Sequence, residues 1–216
     1  AGQYPLDRET VWKLGYALGT VLKRNSAAST PRVVLGEDTR ESSQWISRAL
    51  AAGLQSAGAH ATHAGVITTP GVAFLTRHHA FDAGVMVSAS HNPYDDNGIK
   101  VLARTGTKLP ESIELEIERE LAASPSAGPE ASPLEPVPAL LEDYLKYLQD
   151  LFPEAIGRAP HRIVVDCAHG AASRVIPELV KRLGIEARVL HAAPNGRNIN
   201  ASCGGIRRHS GTSGYP

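Results

Sequence analysis

Ser88, Ser90, His91, Asn92, Asp95, Asp96 and Lys100 fall together in the stretch VSASHNPYDDNGIK, residues 87–100. An apolar run, Ala83 to Val87, stops abruptly in front of them. A chain that needed only to reverse could do so with Asn-Pro or Asn-Gly. Both occur here, at Asn92-Pro93 and Asn97-Gly98, and the turn after Ser90 and His91 pushes those side chains outward. Open α/β sheets place their ligand crevices at strand ends of this kind. Alternation along an extended strand sends Ser88 and Ser90 to the same side, so position alone does not choose between them. Lys100, two residues into the next apolar run, can return toward the serines with a positive charge. A serine, a histidine and a lysine converging suit nucleophilic chemistry or a phosphate-bearing serine.

Other chemistries are less well served. Ser90, His91 and Asp166 do not make a hydrolase triad, because there is no G-x-S-x-G elbow and an adjacent Ser-His pair cannot form the geometry. Asp95 and Asp96 offer carboxylates to a metal, but neighbouring carboxylates in a turn read as solvated. His78-His79 lie side by side on a helical stretch and point different ways, which reads as a solvated helix end. Asp166 and His169 stand at a strand end with a packing or turn role.

Short β-rich runs alternate with helical periods throughout, the pattern of an α/β protein. Val11, Leu14, Leu18, Val21 and Leu22 share a helix face, with Asp7 as N-cap. A buried strand is expected over Arg32 to Leu35, ending at Gly36. A second helical stripe runs through Ile46, Ala49, Leu50, Gly53 and Leu54 and stops at Gly58. Then come a strand near Ala59 to Gly65, a short helix after Pro70, and strands Ala83 to Val87 and Gly98 to Leu102. A helix over about Pro110 to Ala123 carries Ile113, Ile117 and Leu121. The proline-rich segment 124–138, SPSAGPEASPLEPVP, reads as an exposed connection between domains. Beyond it lie a helix (Leu141, Leu145, Leu148), a strand Ile163 to Asp166, a helix around Val175 to Leu183 and a strand Ala187 to His191. That is one βαβ unit of a second domain, with the division at 1–138 and 139–216.

The 22 basic and 22 acidic residues balance, which removes any global attraction to nucleic acid or anionic membrane. No apolar run approaches the roughly 20 residues of a membrane span, and no signal-peptide pattern opens the chain. Cys167 and Cys203 lack CxxC spacing and read as free thiols of a reducing, cytoplasmic protein.

The stretch SASHNPYDDNGIK resembles the phosphoserine loop of the α-D-phosphohexomutases. GEDTRESS (36–43), VITTPGVAFLTR (66–77), IVVDCAHGAA (163–172) and PNGRNINASCGG (194–205) are similar to family segments in the same order. The resemblance implies a mixed-sheet α/β domain followed by an incomplete second α/β domain. It also implies that Ser90, directly before His-Asn-Pro, carries the phosphoryl group. Lys100 would neutralise phosphate oxygens, and His91 would orient the phosphoserine. Arg40 and Asn92 would lie next to the active site, with a structural role for Arg40 equally open. The form of the loop is most similar to the hexosamine branch of the family. The implied reaction interconverts glucosamine 6-phosphate and glucosamine 1-phosphate through a bisphosphorylated sugar. The hexose branch, or an inactive binding remnant, is the alternative. Mg²⁺ is the implied cofactor, with the Ser90 phosphate as one ligand. Sugar phosphates are the implied partners, with a homodimer possible for the whole enzyme.

The resemblance also implies a piece of a longer protein, inactive by itself. The family's opening arginine segment, its Asp-Gly-Asp-x-Asp-Arg metal loop and its later domains have no counterpart in this sequence. The tail GIRRHSGTSGYP (205–216) is similar at Arg208 to Thr212 to the start of a fourth-domain phosphate loop. A frameshifted or truncated reading accounts for it better, since codons for Ser210 to Gly214 read one base on can spell Pro-Glu-His-Leu.

Overall fold

The computed structural model describes residues 1–26, 29–128, 134–152 and 163–205. Part of the proline-rich segment and the tail motif Arg208 to Thr212 therefore lie outside the described residues.

The first helix, α1 (Arg8–Asn25), starts where Asp7 accepts hydrogen bonds from the Thr10 amide and hydroxyl, both at 2.9 Å. These bonds hold the Asp7 carboxyl below its ordinary pKa. β1 (Arg32–Glu37), α2 (Ser43–Ser56), β2 (His60–Val66), α3 (Thr69–His78), β3 (Ala83–Val87), β4 (Ile99–Ala103) and α4 (Glu111–Ala123) follow. The four strands form one mixed sheet in the order β2-β1-β3-β4. β1 is parallel to both β2 and β3, and β4 runs antiparallel to β3.

Alternation along the central strands divides the core in two. Val33, Leu35, Val85 and Val87 face α1, α2 and α4, while Val34 and Met86 face α3. Residues of both faces are essentially inaccessible, as a sheet covered by helices requires. α1 and α2 cross in close contact because Gly15 and Gly53 have no side chain. A Cβ at Gly15 would overlap the Leu50 carbonyl, and one at Gly53 would overlap the Trp12 carbonyl.

β1 does not stop at Gly36. It continues to Glu37, and Gly36 lies within the strand with Val72 and Ile67 where a Cβ would stand. The glycine marks a close approach of α3 to the sheet, not the end of the strand.

Pro138 of the proline-rich segment is the first residue of α5 (Pro138–Asp150), a position where its missing N–H costs nothing,. Just before it, Val137 donates its amide to the His63 carbonyl on β2 at 2.8 Å. Leu140, Tyr144 and Leu145 of α5 pack in one cluster with Ile67, Val72 and Phe74 of the first sheet unit. The two histidines at the end of α3 join this packing. His78 stacks on Phe74, and His79 Nε2 lies 2.9 Å from Asp143 Oδ2, so this helix end is tethered to α5 and not simply solvated.

α6 (Ala172–Arg182) joins the same cluster through Val175 and Leu179. Arg182 donates to both carboxylate oxygens of Glu142 at 2.7 Å. α6 connects β5 (Ile163–Asp166) to β6 (Ala187–Leu190), which pair in parallel.

Candidate functional site

β1 and β3 are neighbours in the centre of the sheet, so the loops leaving their carboxyl ends must run side by side. The Asp38 amide donates to the Val87 carbonyl at 3.0 Å, and the Ser88 amide to the Gly98 carbonyl at 2.8 Å. Residues 38–42 and 88–98 thus form a single polar surface at the sheet edge where α/β proteins bind ligands.

The extended backbone ends at Val87, so the two serines do not share a side by alternation. Ser88 is buried, with 7% of its surface exposed, and its Oγ accepts from the Ser90 amide at 3.1 Å. Ser90 is exposed and adopts φ +56°, a left-handed conformation unusual for a residue with a Cβ,. Its hydroxyl makes no hydrogen bond among the described residues. His91 follows it, exposed and also without a hydrogen bond among them. Lys100 stands opposite Met86 on β4 and returns to the loop, where its Nζ donates to the Ser88 carbonyl at 2.6 Å. An ammonium carries three donors, so two remain for an anion at Ser90.

Arg40 lies underneath the turn, only 3% exposed. Its Nε pairs with Asp38 Oδ2 at 3.0 Å, Nη1 donates to the Pro93 carbonyl at 2.5 Å, and Nη2 donates to the carbonyls of Ser90 and Asn92 at 3.0 Å. The guanidinium thus holds the turn from below. Asp38 is fixed in turn by the Arg40 amide and the Ser43 hydroxyl. Asn92 lends its carbonyl to this arrangement and its Nδ2 to Asp96 Oδ2 at 3.1 Å. Asn97 ties the far side of the loop to Ser42 and Ser43 at the start of α2.

Sequence reasoning did not single out Asn200. Its Nδ2 reaches the carbonyls of Ser90 and Asn92, at 3.0 Å to each, from the loop after β6. That loop is seated against the first sheet unit by Arg197 Nε on Glu41 Oε2 at 2.6 Å and by the Glu41 amide on the Gly196 carbonyl at 3.0 Å. The Thr39 hydroxyl donates to the His169 carbonyl, in the neighbouring turn after β5, at 2.5 Å. Only the segment 194–205 as a whole was a sequence signal; nothing local marked this amide.

A Mg²⁺ site needs several hard oxygen donors. Among the described residues, no three carboxylates gather beside Ser90. The group that does assemble is Asp166, His191 and Cys203, with ligand atoms within 4.8 Å of one another. Its carboxylate already accepts from the amides of Gly204 and Ala168 and from His191. Those bonds hold the Asp166 carboxyl below its ordinary range, and burial pushes the Cys203 thiol upward, away from the thiolate a metal would take. Asp166 closes a turn here, and the described residues do not by themselves build a magnesium centre.

A three-layer α/β/α unit with an exposed serine clamped at the end of its central strand defines a class. Residues 1–127 match the family model for phosphoglucomutase/phosphomannomutase, alpha/beta/alpha domain I. The chain belongs to the phosphoglucomutase/phosphomannomutase family. It is 48% identical over 208 residues to a phosphoglucosamine mutase of Solibacter usitatus, covering 95% of this chain and 46% of that protein. It is likewise 48% identical over 213 residues to one of Koribacter versatilis, covering 95% and 45%. The chain thus spans about half the length of the curated relatives it matches. Among solved structures, a Thermus thermophilus protein assigned as a phosphomannomutase superimposes with a TM-score of 0.77 at 25% identity, over 88% of this chain and 43% of that one.

Proposed function

We propose that the chain carries the phosphoryl-accepting part of a phosphoglucosamine mutase. In this reading the enzyme interconverts glucosamine 6-phosphate and glucosamine 1-phosphate. The observation that carries it is the exposed, unbonded Ser90 hydroxyl on a turn whose backbone is clamped by Arg40 and Asn200. A nucleophile held by its backbone, with its side chain free, can exchange a phosphoryl group with an external acceptor at no cost in local structure. The 48% identity to proteins named phosphoglucosamine mutase supports the amino-sugar substrate.

The chemistry balances in two half-reactions. First the Ser90 Oγ–P bond breaks as a sugar hydroxyl oxygen bonds to phosphorus, and the proton of that hydroxyl ends on Ser90 Oγ, to be returned to the released sugar oxygen in the second half-reaction. Then the other phosphoryl group of the bisphosphorylated sugar returns to Oγ. Phosphoryl transfer depends on positioning and on charge opposing the phosphate oxygens, which assigns Lys100 to neutralisation and His91 to orienting the phosphoserine. Mg²⁺ is the cation this reading implies, with the Ser90 phosphate as one ligand and the others outside the described residues. Within it, residues 1–138 and 139–216 belong to successive domains, sugar phosphates are the partners, the whole enzyme can pair as a homodimer, and the compartment is the cytoplasm. No described helix is long and apolar enough to cross a membrane.

The test uses the chain extended to the length of its relatives, with Mg²⁺ and a trace of glucosamine 1,6-bisphosphate. Glucosamine 6-phosphate should yield glucosamine 1-phosphate in a coupled assay. A higher kcat/KM with mannose or glucose phosphates moves the protein to the hexose branch, and no turnover with any of them leaves a binding domain.

A further inference from the structure

The backbone carbonyls of Ser90 and Asn92, which flank His91, each accept two hydrogen bonds. One set comes from Arg40 Nη2 and the other from Asn200 Nδ2, with all four distances at 3.0 Å. Arg40 belongs to the loop after β1, beneath the turn. Asn200 lies 110 residues along the chain from Ser90, in the loop after β6. A single nitrogen bridging both oxygens limits the distance between them, and with it the orientation of the Ser90-His91 and Asn92-Pro93 peptide units. The left-handed φ of Ser90 lies immediately before the first of these carbonyls. A residue with a Cβ resists this conformation, and the bridging donors hold the carbonyl that follows it.

We propose that Asn200 is a positioning residue for Ser90, acting through the backbone to aim its hydroxyl. This rests on the reading of Ser90 as the phosphoryl carrier. The consequence is that a side chain of the 194–205 loop, and not the first sheet unit alone, sets the shape of the turn. The seat and the clamp use different groups. Arg197–Glu41 and Glu41–Gly196 hold the loop in place without a hydrogen bond to the Ser90 turn, and Thr39–His169 holds the neighbouring turn after β5. Asn200 is the residue of that loop whose side chain reaches the turn's carbonyls among the described hydrogen bonds.

That separation provides the experiment. Asn200 has φ +59°, so Asn200→Gly removes the amide while keeping the backbone comfortable. Asn200→Asp keeps the shape but sets a carboxylate against two carbonyl oxygens. Arg197→Ala weakens the seat and leaves the amide in place. Two readouts are taken: ¹³C carbonyl resonances of Ser90 and Asn92 in the 216-residue chain, and kcat and KM for hexosamine phosphates in the extended protein. Both Asn200 variants should move the two resonances upfield and lower kcat about tenfold or more, with KM within about twofold of wild type. Arg197→Ala should leave the resonances and kcat near wild type. Unmoved resonances in Asn200→Gly, or an equal loss of kcat in Arg197→Ala, overturn the proposal, the second because seating alone would then account for the effect. If wild type never acquires phosphate on Ser90, the functional reading fails, and the carbonyl resonances still decide whether Asn200 holds the turn.

Discussion

The backbone N–H of Ser90 donates to the Ser88 hydroxyl oxygen at 3.1 Å, which makes the two serines of the loop partners with different tasks. Ser88 is buried and engaged as an acceptor, whereas Ser90 is exposed with its hydroxyl unbonded among the described residues. Phosphate from a labelled sugar bisphosphate should therefore appear on Ser90 in the extended protein, located by mass spectrometry. Ser90→Ala should abolish the label. Ser88→Ala should keep it, at a reduced rate, because the Ser90 amide loses its acceptor. Label transferred to Ser88 in the Ser90→Ala protein would refute the assignment.

Lys100 contacts the Ser88 carbonyl at 2.6 Å and is exposed, on the edge strand of the first sheet. Little packing depends on its head group, but the charge is fixed on the loop two residues before the proposed phosphoryl carrier. In the extended protein Lys100→Met should lower kcat by about 10²–10³-fold, the usual cost of losing one electrostatic contact to a transition state. The melting temperature should stay close to wild type. A loss under about threefold would leave Lys100 as a surface residue with no part in transfer.

Local features were legible in the sequence where local physics decides them. Asp7 as N-cap of α1 follows from its place before an apolar period, and β3 runs from Ala83 to Val87 as its apolar run predicts. Gly36 was misleading because a glycine that admits a neighbouring helix looks, in sequence, like one that ends a strand. The period of α5 was visible, yet its partners were not, since Leu140 and Tyr144 meet residues from α3 and the sheet that lie far away along the chain. That residues 87–100 leave the sheet as a polar turn was legible from their composition. The turn's conformation was not: Ser90 adopts φ +56° on a turn whose carbonyls are held by Arg40 and Asn200, from 50 and 110 residues away.

Gly53 tests the helix crossing that supports the whole sheet unit. On α2 it faces the carbonyl of Trp12 and the amide of Tyr16 on α1, both backbone atoms that cannot rotate aside. Alanine has the higher helix propensity by about 1 kcal/mol, so an open site would be stabilised by Gly53→Ala. Here overpacking should dominate and destabilise by about 1–3 kcal/mol, read as a lower urea midpoint. A raised midpoint would mean that α1 and α2 separate easily and that the crossing is not a constraint.

Asp166 supplies a pH signature for the loop that carries Asn200. Its carboxylate accepts from the Gly204 amide at 2.9 Å, the Ala168 amide at 2.8 Å and His191 Nδ1 at 3.0 Å, joining the end of β5 to both following turns. The two amides are the main reason its pKa lies below the ordinary value. A carboxyl whose pKa is depressed on folding stabilises the native state above its unfolded pKa of about 3.9, and that contribution is lost as pH falls through the folded pKa. Asp166→Asn removes the ionisation and turns one acceptor into a donor facing backbone N–H groups. The variant should therefore melt lower than wild type by a constant margin above about pH 5, and the margin should narrow as pH drops below about 4. Asp7 and Glu142, whose carboxyls are also held low, titrate in both proteins and cancel from the difference. A margin that stays the same from about pH 6 down to about pH 3 would mean that Asp166 contributes shape to this turn without its charge.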